Sequence, residues 1–155
     1  MGNVRRILFV SGTRADYGKL HPLISALESD ALFDTHIFAT GMHLLEKFGE
    51  TVREIQREHK QIYLFNNQAF AHSMDVTVAN TIVGFSGYVN ELNPDMIVVH
   101  GDRPETLAGA IVGGLTNKLT SHIEGGEVSG TSDEMIRHAV SKLSHVHFVA
   151  NQSAK

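Results

Sequence analysis

The sequence has no cysteine among its 155 residues and no block of like charges. Without cysteine, a disulfide scaffold and a thiolate metal site are both excluded. No apolar run reaches the roughly 20 residues that span a bilayer, and the short apolar run in MGNVRRILFV is not a secretory signal. The net charge of −4 argues against a nucleic-acid partner, because such proteins usually carry a basic surplus. We therefore expect a soluble, cytoplasmic protein with neither a nucleic-acid nor a membrane partner.

Apolar segments alternate with amphipathic ones along the chain. Strands are predicted at 6–10, 33–40, 61–65, 96–99, 119–123 and 146–150. Helices are predicted at 19–29, 44–58, 73–92, 105–117 and 133–143. Repeated strand–helix pairs are typical of a parallel sheet covered on both faces, which predicts an α/β fold with a Rossmann-like doubly wound sheet over residues 1–150. Ligands of such sheets bind beyond the carboxyl ends of the strands.

The last five residues, 151–155, indicate the start of a further helix. Asn151 or Ser153 is suited to cap it. A helix that begins here has no room to continue, so we expect a chain that stops before another domain.

The loop after the first strand, Ser11 to Lys19, resembles two phosphate motifs and matches neither. Gly12 and Gly18 are separated by five residues, a spacing that fits neither the dinucleotide fingerprint nor the Walker P-loop. No nucleotide cofactor is therefore expected. Backbone N–H groups at the following helix start, together with Arg14, remain able to bind a diphosphate. The alternative is a turn in which Arg14 and Asp16 are solvated or paired with each other.

An acidic residue and an arginine follow the fourth strand. Asp102 has an ordinary structural alternative as a helix N-cap. Pro104 suits the first helical turn and Glu105 suits the positive helix end, which leaves Arg103 without an obvious structural role. An acid beside an arginine at a ligand-binding edge indicates anion binding or proton transfer.

Polar residues also end the fifth strand. His122 and Glu124 alternate with Ile123, so we expect both side chains on one side of the sheet. Glu124, at the mouth of a buried strand, is a candidate base with a raised pKa. The alternative is a salt bridge to a nearby arginine. A metal site at this position is disfavoured because no third ligand has a clear spacing.

The segment before the last helix has a strong structural interpretation. Thr131 and Glu134 fit a capping box, and Asp133 is an acid in the first turn. Arg137 follows Asp133 at i+4 on the same helix face. A diphosphate or sugar has room between this turn and the preceding glycines.

Taken together, the segments GTRADYGKL, HGDR and HIEGGEVSGTSDEMIRHAVSKLSHVHF resemble the hydrolysing UDP-N-acetylglucosamine 2-epimerases of sialic- and legionaminic-acid pathways. The resemblance covers the whole chain and implies the first half of a glycosyltransferase-B type enzyme with two Rossmann-like domains. The implied reaction converts UDP-N-acetylglucosamine and water to N-acetylmannosamine and UDP by elimination and then hydration. Some relatives act on UDP-N,N'-diacetylbacillosamine instead. The resemblance implies a homo-oligomer that requires no cofactor or metal.

The resemblance also implies roles for individual residues. The implied catalytic acids are Asp102, Glu124 and Asp133. The implied substrate-binding residues are Arg14 and Arg103 at the diphosphate, with Glu127, Arg137 and His138. Aspartate at 133 agrees with the hydrolysing branch, because the broader family has glutamate there. In the family a second domain holds most of the uridine site and a catalytic histidine, so we expect this chain alone to be inactive.

Two other functions remain open at this point. One is a non-catalytic module that binds a nucleotide sugar without turnover. The other is a different two-domain glycosyltransferase of similar fold. The carboxylate-rich strand ends favour the epimerase, because inverting glycosyl transfer needs only one base.

Overall fold

The computed structural model describes residues 3–68 and 73–155. Its strands are β1 (Arg5–Ser11), β2 (Phe33–Ala39), β3 (Ile62–Leu64), β4 (Met96–His100), β5 (Leu119–Ile123) and β6 (Val146–Phe148). Its helices are α1 (Arg14–Glu28), α2 (Val52–Glu58), α3 (Met74–Leu92), α4 (Pro104–Leu115) and α5 (Ser132–Leu143). Among the described residues no helix combines the length and apolar content needed to cross a bilayer.

The six strands form one parallel sheet in the order β3-β2-β1-β4-β5-β6. This is the order of a Rossmann sheet, in which the chain direction across the sheet reverses between β1 and β4. The predicted α/β doubly wound fold is confirmed. Loops that leave β1 and β4 diverge at this switch point, which opens a crevice at the carboxyl edge.

Each face of the sheet packs against its own helices, because successive strand residues point to opposite faces. In β1, Leu8 and Val10 belong to a core with residues of α3, α4 and α5. Ile7 and Phe9 belong to a second core with residues of α1 and α2. These central strand residues are almost fully buried, which accounts for their continuous apolar sequence.

Helix α1 begins at Arg14, five residues before its predicted start at residue 19. Thr13 caps it, since its hydroxyl accepts a hydrogen bond from the Asp16 N–H at 3.2 Å. This cap satisfies one of the free N–H groups of the first turn and lets the polar loop join the helix. Only the later turns carry the apolar periodicity from which the helix was predicted.

The prediction of a single helix over residues 44–58 is wrong. The chain there forms two short 3-10 turns, Gly41–Leu44 and Glu46–Phe48, before α2 begins at Val52. Gly49 and Glu50 adopt positive φ angles of 82° and 46°, which no α-helix accommodates. The amphipathic pattern of the segment therefore comes from three separate pieces.

The helix start predicted at residues 151–155 is a single 3-10 turn in the structure. Residues Gln152–Ala154 form a 3-10 turn, and the Asn151 side chain accepts a hydrogen bond from the Ala154 N–H at 3.0 Å. Asn151, one of the two residues predicted as the cap, is therefore the cap of this turn.

Candidate functional site

An open cleft of about 420 Å³ lies at the carboxyl edge of the sheet. The loops after β1, β4 and β5 line it together with one side chain of α5. Five of the residues predicted for the site border this cleft: Asp102, Arg103, Glu124, Glu127 and Arg137. These five come from two of the quoted motifs, and Thr13 and Asp16 of the third motif also line the cleft.

Asp102 forms an ion pair with Arg137 across the cleft. The Arg137 side chain is only 9% exposed, and its second terminal nitrogen donates to the Glu127 carbonyl oxygen at 2.6 Å. The alternative of Asp102 as an N-cap is wrong, because Arg103 occupies that position without a side-chain cap bond. Asp102 is instead held by a cation from a helix 35 residues later.

Arg103 extends into the same cleft with part of its hydrogen-bonding capacity unused. Its Nε is buried and has no hydrogen-bond partner among the described residues. One terminal nitrogen contacts the Met42 sulfur at 3.9 Å. A partly buried guanidinium that has no carboxylate partner among residues 3–68 and 73–155 is well suited to bind an anionic group of a ligand.

A chain of hydrogen bonds crosses the cleft from α1 to β5. Asp16 accepts from the Thr13 hydroxyl at 2.9 Å and lies 3.4 Å from His100 Nδ1. His100 Nε2 lies 3.1 Å from Glu124 Oε2, while the Lys19 ammonium lies 2.9 Å from Glu124 Oε1. Asp16 is buried in this network. The alternative in which it is solvated or paired with Arg14 is therefore wrong.

The network shifts the pKa values of Glu124 and His100 in opposite directions. The Lys19 hydrogen bond, with help from His100, holds the pKa of Glu124 below its ordinary value. The raised pKa predicted for Glu124 is wrong, because its charged partners outweigh its partial burial. Burial lowers the pKa of His100, but hydrogen bonds and charges from Asp16 and Glu124 outweigh it, so the pKa is raised. The carboxylate is ionised at neutral pH, and the imidazole carries part of the compensating charge.

The expectation that His122 and Glu124 share one side of the sheet is also wrong. His122 is fully buried toward α5, with Nδ1 3.2 Å from the Ser141 hydroxyl and Nε2 2.7 Å from the Gly101 carbonyl oxygen. Glu124 has a φ of 57°, which breaks the strand alternation and turns its carboxylate toward Lys19 of α1. The left-handed residue places the carboxylate in the cleft.

Glu105 does not serve as an exposed complement to the helix end. Its side chain is buried, and Oε1 accepts from the Asn67 amide at 3.3 Å. A Cβ on Gly12 or Gly41 would come within 2.8 Å or 2.5 Å of this side chain. Both glycines are therefore required by the close approach of Glu105 to the loop that forms the cleft.

The predicted capping box before α5 is only partly formed. Thr131 is the N-cap, but its side chain makes no cap bond. The Glu134 carboxylate reaches beyond it and accepts from the N–H groups of Gly130 at 2.7 Å and Ser129 at 3.3 Å. Glu134 thus fixes the end of the loop, and the helix cap is weaker than the motif predicts.

Three residues predicted for the site have side chains outside the cleft. Arg14 is 71% exposed and forms an ion pair with Glu54 of α2 at 3.2 Å. Asp133 is exposed in the first turn of α5. His138 is 65% exposed, with Nε2 3.6 Å from a Glu134 oxygen. Their roles stay predictions.

The sequence profile of the family described as UDP-N-acetylglucosamine 2-epimerase matches residues 25–155. The chain belongs to this epimerase family. It is 49% identical over 152 residues to a UDP-N-acetylglucosamine 2-epimerase of Neisseria meningitidis, covering 97% of the chain and 40% of that protein. It is 41% identical over 158 residues to a hydrolysing UDP-N,N'-diacetylbacillosamine 2-epimerase of Legionella pneumophila, covering 98% and 41%.

The fold agrees with this family. The crystal structure of the Methanocaldococcus jannaschii UDP-GlcNAc 2-epimerase in complex with UDP-GlcNAc and UDP superposes with a TM-score of 0.84 at 26% identity. The match covers 96% of this chain and 41% of that one. The chain thus spans about 40% of the length of the relatives it matches.

Three titratable residues of the network at this cleft were not predicted individually: Asp16, Lys19 and His100. Each lies inside a quoted motif, so the motifs located the region without giving the roles. A signal for His100 does exist in the strand period. It shares the α1 side of β4 with Met96 and Val98, which pack in the core against α1.

Proposed function

We propose that this chain contributes the acid–base half of a hydrolysing UDP-sugar 2-epimerase, which converts UDP-N-acetylglucosamine and water to N-acetylmannosamine and UDP. The observation that carries the proposal is the convergence of Asp102, Glu124 and the Arg103 guanidinium on one cleft at the switch point. Two carboxylates held by cations, beside a cation without a carboxylate partner, match a reaction that moves protons while an anionic group departs.

The proposed reaction has two balanced steps. In the elimination, a base takes the C2 proton, the C1–O bond breaks with its electron pair leaving on UDP, and a C1=C2 double bond forms. In the hydration, water adds its hydroxyl at C1 while an acid delivers a proton to the opposite face of C2. Both steps need a positioned acid–base group, each worth about 10²–10⁴-fold in rate.

The geometry suits Asp102 and Glu124 to these proton transfers. Glu124 is ionised at neutral pH by its cationic partners. His100 hydrogen-bonds to Glu124 and to Asp16, so it positions the carboxylate and stabilises its charge. Arg137 does the same for Asp102. The charges are therefore already oriented before a substrate arrives, which lowers the cost of reorganisation in the transition state.

The diphosphate is proposed to bind at Arg103 and the first turn of α1. Free N–H groups at a helix start and a guanidinium together favour an anionic ligand. Arg14, Asp133 and His138 keep the roles implied by the family resemblance, and their exposed side chains would turn toward the cleft when the sugar nucleotide binds. Glu127, at the cleft edge, is proposed to contact the sugar. Assembly as a homo-oligomer and a cytoplasmic location also stay proposals.

Two relatives support a UDP-sugar as substrate and leave two candidates for it. The Neisseria meningitidis relative is named for UDP-N-acetylglucosamine, and the Legionella pneumophila relative for UDP-N,N'-diacetylbacillosamine. The higher identity to the first, 49% against 41%, favours UDP-N-acetylglucosamine.

The test is a UDP-release assay with each of the two UDP-sugars, with the free sugar identified by NMR. An active form of the protein is expected to release UDP and N-acetylmannosamine from UDP-N-acetylglucosamine. Release only from the bacillosamine nucleotide would transfer the proposal to that substrate. UDP binding without release from either sugar, in every form of the protein tested, would instead show a nucleotide-sugar binding module.

A further inference from the structure

A second polar cluster lies between α1 and the end of α2. It contains His21 of α1, Glu58 at the end of α2 and His59 directly after it. One ligand atom from each of the three lies within 4.8 Å of the other two. His21 Nε2 is 2.9 Å from Glu58 Oε2. The proposed catalytic cleft has no lining residue in common with this cluster.

The hydrogen bonds of the cluster are one proton short. His59 is 5% exposed, and its Nδ1 lies 2.9 Å from both oxygens of the Glu28 carboxylate, which accepts only. In the neutral ring Nδ1 must then donate, which leaves Nε2 as an acceptor. The Tyr17 hydroxyl has one hydrogen but faces two acceptors, Glu58 Oε2 at 2.6 Å and His59 Nε2 at 2.9 Å. With a neutral ring, the Tyr17 hydroxyl can satisfy only one of the two acceptors, which leaves a lone pair free for a cation.

The surroundings match those of a bound metal ion. A metal-ligating histidine usually donates its other ring N–H to a carboxylate, which is the relation of His59 to Glu28. Two imidazoles and one carboxylate are a donor set that zinc uses when one coordination position stays open. An open cleft of about 240 Å³ borders His21 and Glu58 and leaves room for water in that position.

We propose that His21, Glu58 and His59 bind one divalent cation of the zinc class, with Glu28 orienting His59. Ligand atoms of a tetrahedral zinc site lie about 3.3 Å apart, given bond lengths of roughly 2.0–2.1 Å. Small side-chain rotations bring the three atoms to that separation. The cation would tie the seven-residue helix α2 to α1, and it would bind the Nε2 lone pair of the His21 tautomer that carries its proton on Nδ1.

The test is isothermal titration of ZnCl₂ into the untagged, metal-stripped 155-residue chain. One zinc per chain is expected. His21→Ala and Glu58→Gln should each weaken binding at least ~10-fold, and Glu28→Gln about 10–100-fold through its effect on His59. His21 and Glu58 are half-exposed or exposed, so these variants are expected to fold, which circular dichroism would verify.

A matched control is available at His138. It pairs with Glu134 at i+4 on an exposed helix face without a second imidazole in the pair. His138→Ala should leave zinc binding unchanged. Co²⁺ should give the visible absorption of a tetrahedral site with the parent chain and with His138→Ala, but not with His21→Ala or Glu58→Gln. The proposal would be overturned if the parent chain bound no zinc, or if His21→Ala and Glu58→Gln bound zinc as tightly as the parent chain does. Neither result depends on epimerase activity, so the proposed function stands or falls separately.

Discussion

The carboxyl edge of the sheet has a neutral region beside β2 and a charged region beyond β4 and β5. His43, after β2, is fully buried between hydroxyls, with Nε2 2.8 Å from Ser11 Oγ and Nδ1 2.7 Å from Thr51 Oγ1. Burial lowers its pKa to about 4. His100, at the end of β4, lies between two carboxylates, and its pKa is raised.

The pKa values of the two histidines differ because their neighbouring groups differ. Among hydroxyl partners, burial keeps the His43 imidazole neutral at neutral pH, whereas carboxylate partners make His100 part of a charge network. We therefore expect substitutions in the neutral region to change stability alone, and substitutions in the charged region to change catalysis as well.

The largest effect is expected for Asp102→Asn. Because an amide cannot exchange the proton, kcat/KM for UDP release by an active form should fall about 10²–10⁴-fold. The control is Thr51→Val in the neutral region, which should stay within a few-fold of the parent. Equal losses in the two variants would erase the distinction between the regions.

Removal of the Asp102 partner should cost stability. Arg137→Met leaves a partly buried carboxylate unpaired, so the free energy of unfolding should fall by roughly 2–4 kcal/mol in urea titrations. Arg53 pairs with Glu50 on the surface, where the arginine side chain is 69% exposed. Arg53→Met should therefore cost less than about 1 kcal/mol. A similar cost for both would mean that the cleft pair is solvated.

The neutral region contains a steric test. Gly41→Ala adds a Cβ at a φ of 61° and within 2.5 Å of the Glu105 carboxylate, so a loss of about 2–4 kcal/mol is expected. Gly49 also has a positive φ, but an added Cβ there meets nothing within 4 Å. Gly49→Ala should cost only about 1 kcal/mol. Denaturant unfolding of both variants measures the steric part, which is due to Glu105 and to the Gly12 carbonyl oxygen at 2.8 Å.

The smallest expected effect near neutral pH concerns the pH dependence of folding stability, to which His43 and His100 contribute in opposite directions. Because the folded-state pKa of His43 is lowered, its contribution to stability is full when the pH is above its ordinary pKa of 6.5. This contribution is lost as the pH falls toward the folded-state pKa of about 4. Because the folded-state pKa of His100 is raised, its contribution to stability is full when the pH is below its ordinary pKa of 6.5. This contribution is lost as the pH rises through the folded-state pKa. His43→Asn should therefore flatten the acid side of the stability profile, and His100→Asn the side above pH 6.5. Urea unfolding at several pH values tests both, and identical profiles would contradict the assignment.

The sequence predicts the fold well where burial alone determines the structure. All six strands lie near their predicted positions, and the signal is strongest in β1 and β4, whose successive apolar residues face the two cores. Residues 44–58 were misjudged because Gly49 and Glu50 break the helix through backbone conformation, which the amphipathic pattern does not record.

The site was predicted in position but not in its electrostatics. Asp102 and Arg103 follow a buried strand, so topology alone places them at the cleft. The direction of the Glu124 pKa depends on Lys19, 105 residues earlier in the chain, and on the left-handed φ of Glu124. Likewise, Asp16 meets His100 across 84 residues. Such pairings depend on tertiary contacts, which local spacing does not specify.

The most direct test of the central claim is turnover of UDP-N-acetylglucosamine by an active form in D₂O, followed by NMR of the sugar. Elimination and hydration at the charged region require one solvent-derived deuterium at C2 of N-acetylmannosamine, formed together with UDP. A released sugar that keeps its original hydrogen and configuration at C2 would contradict the account, because the carboxylates would then act in simple hydrolysis.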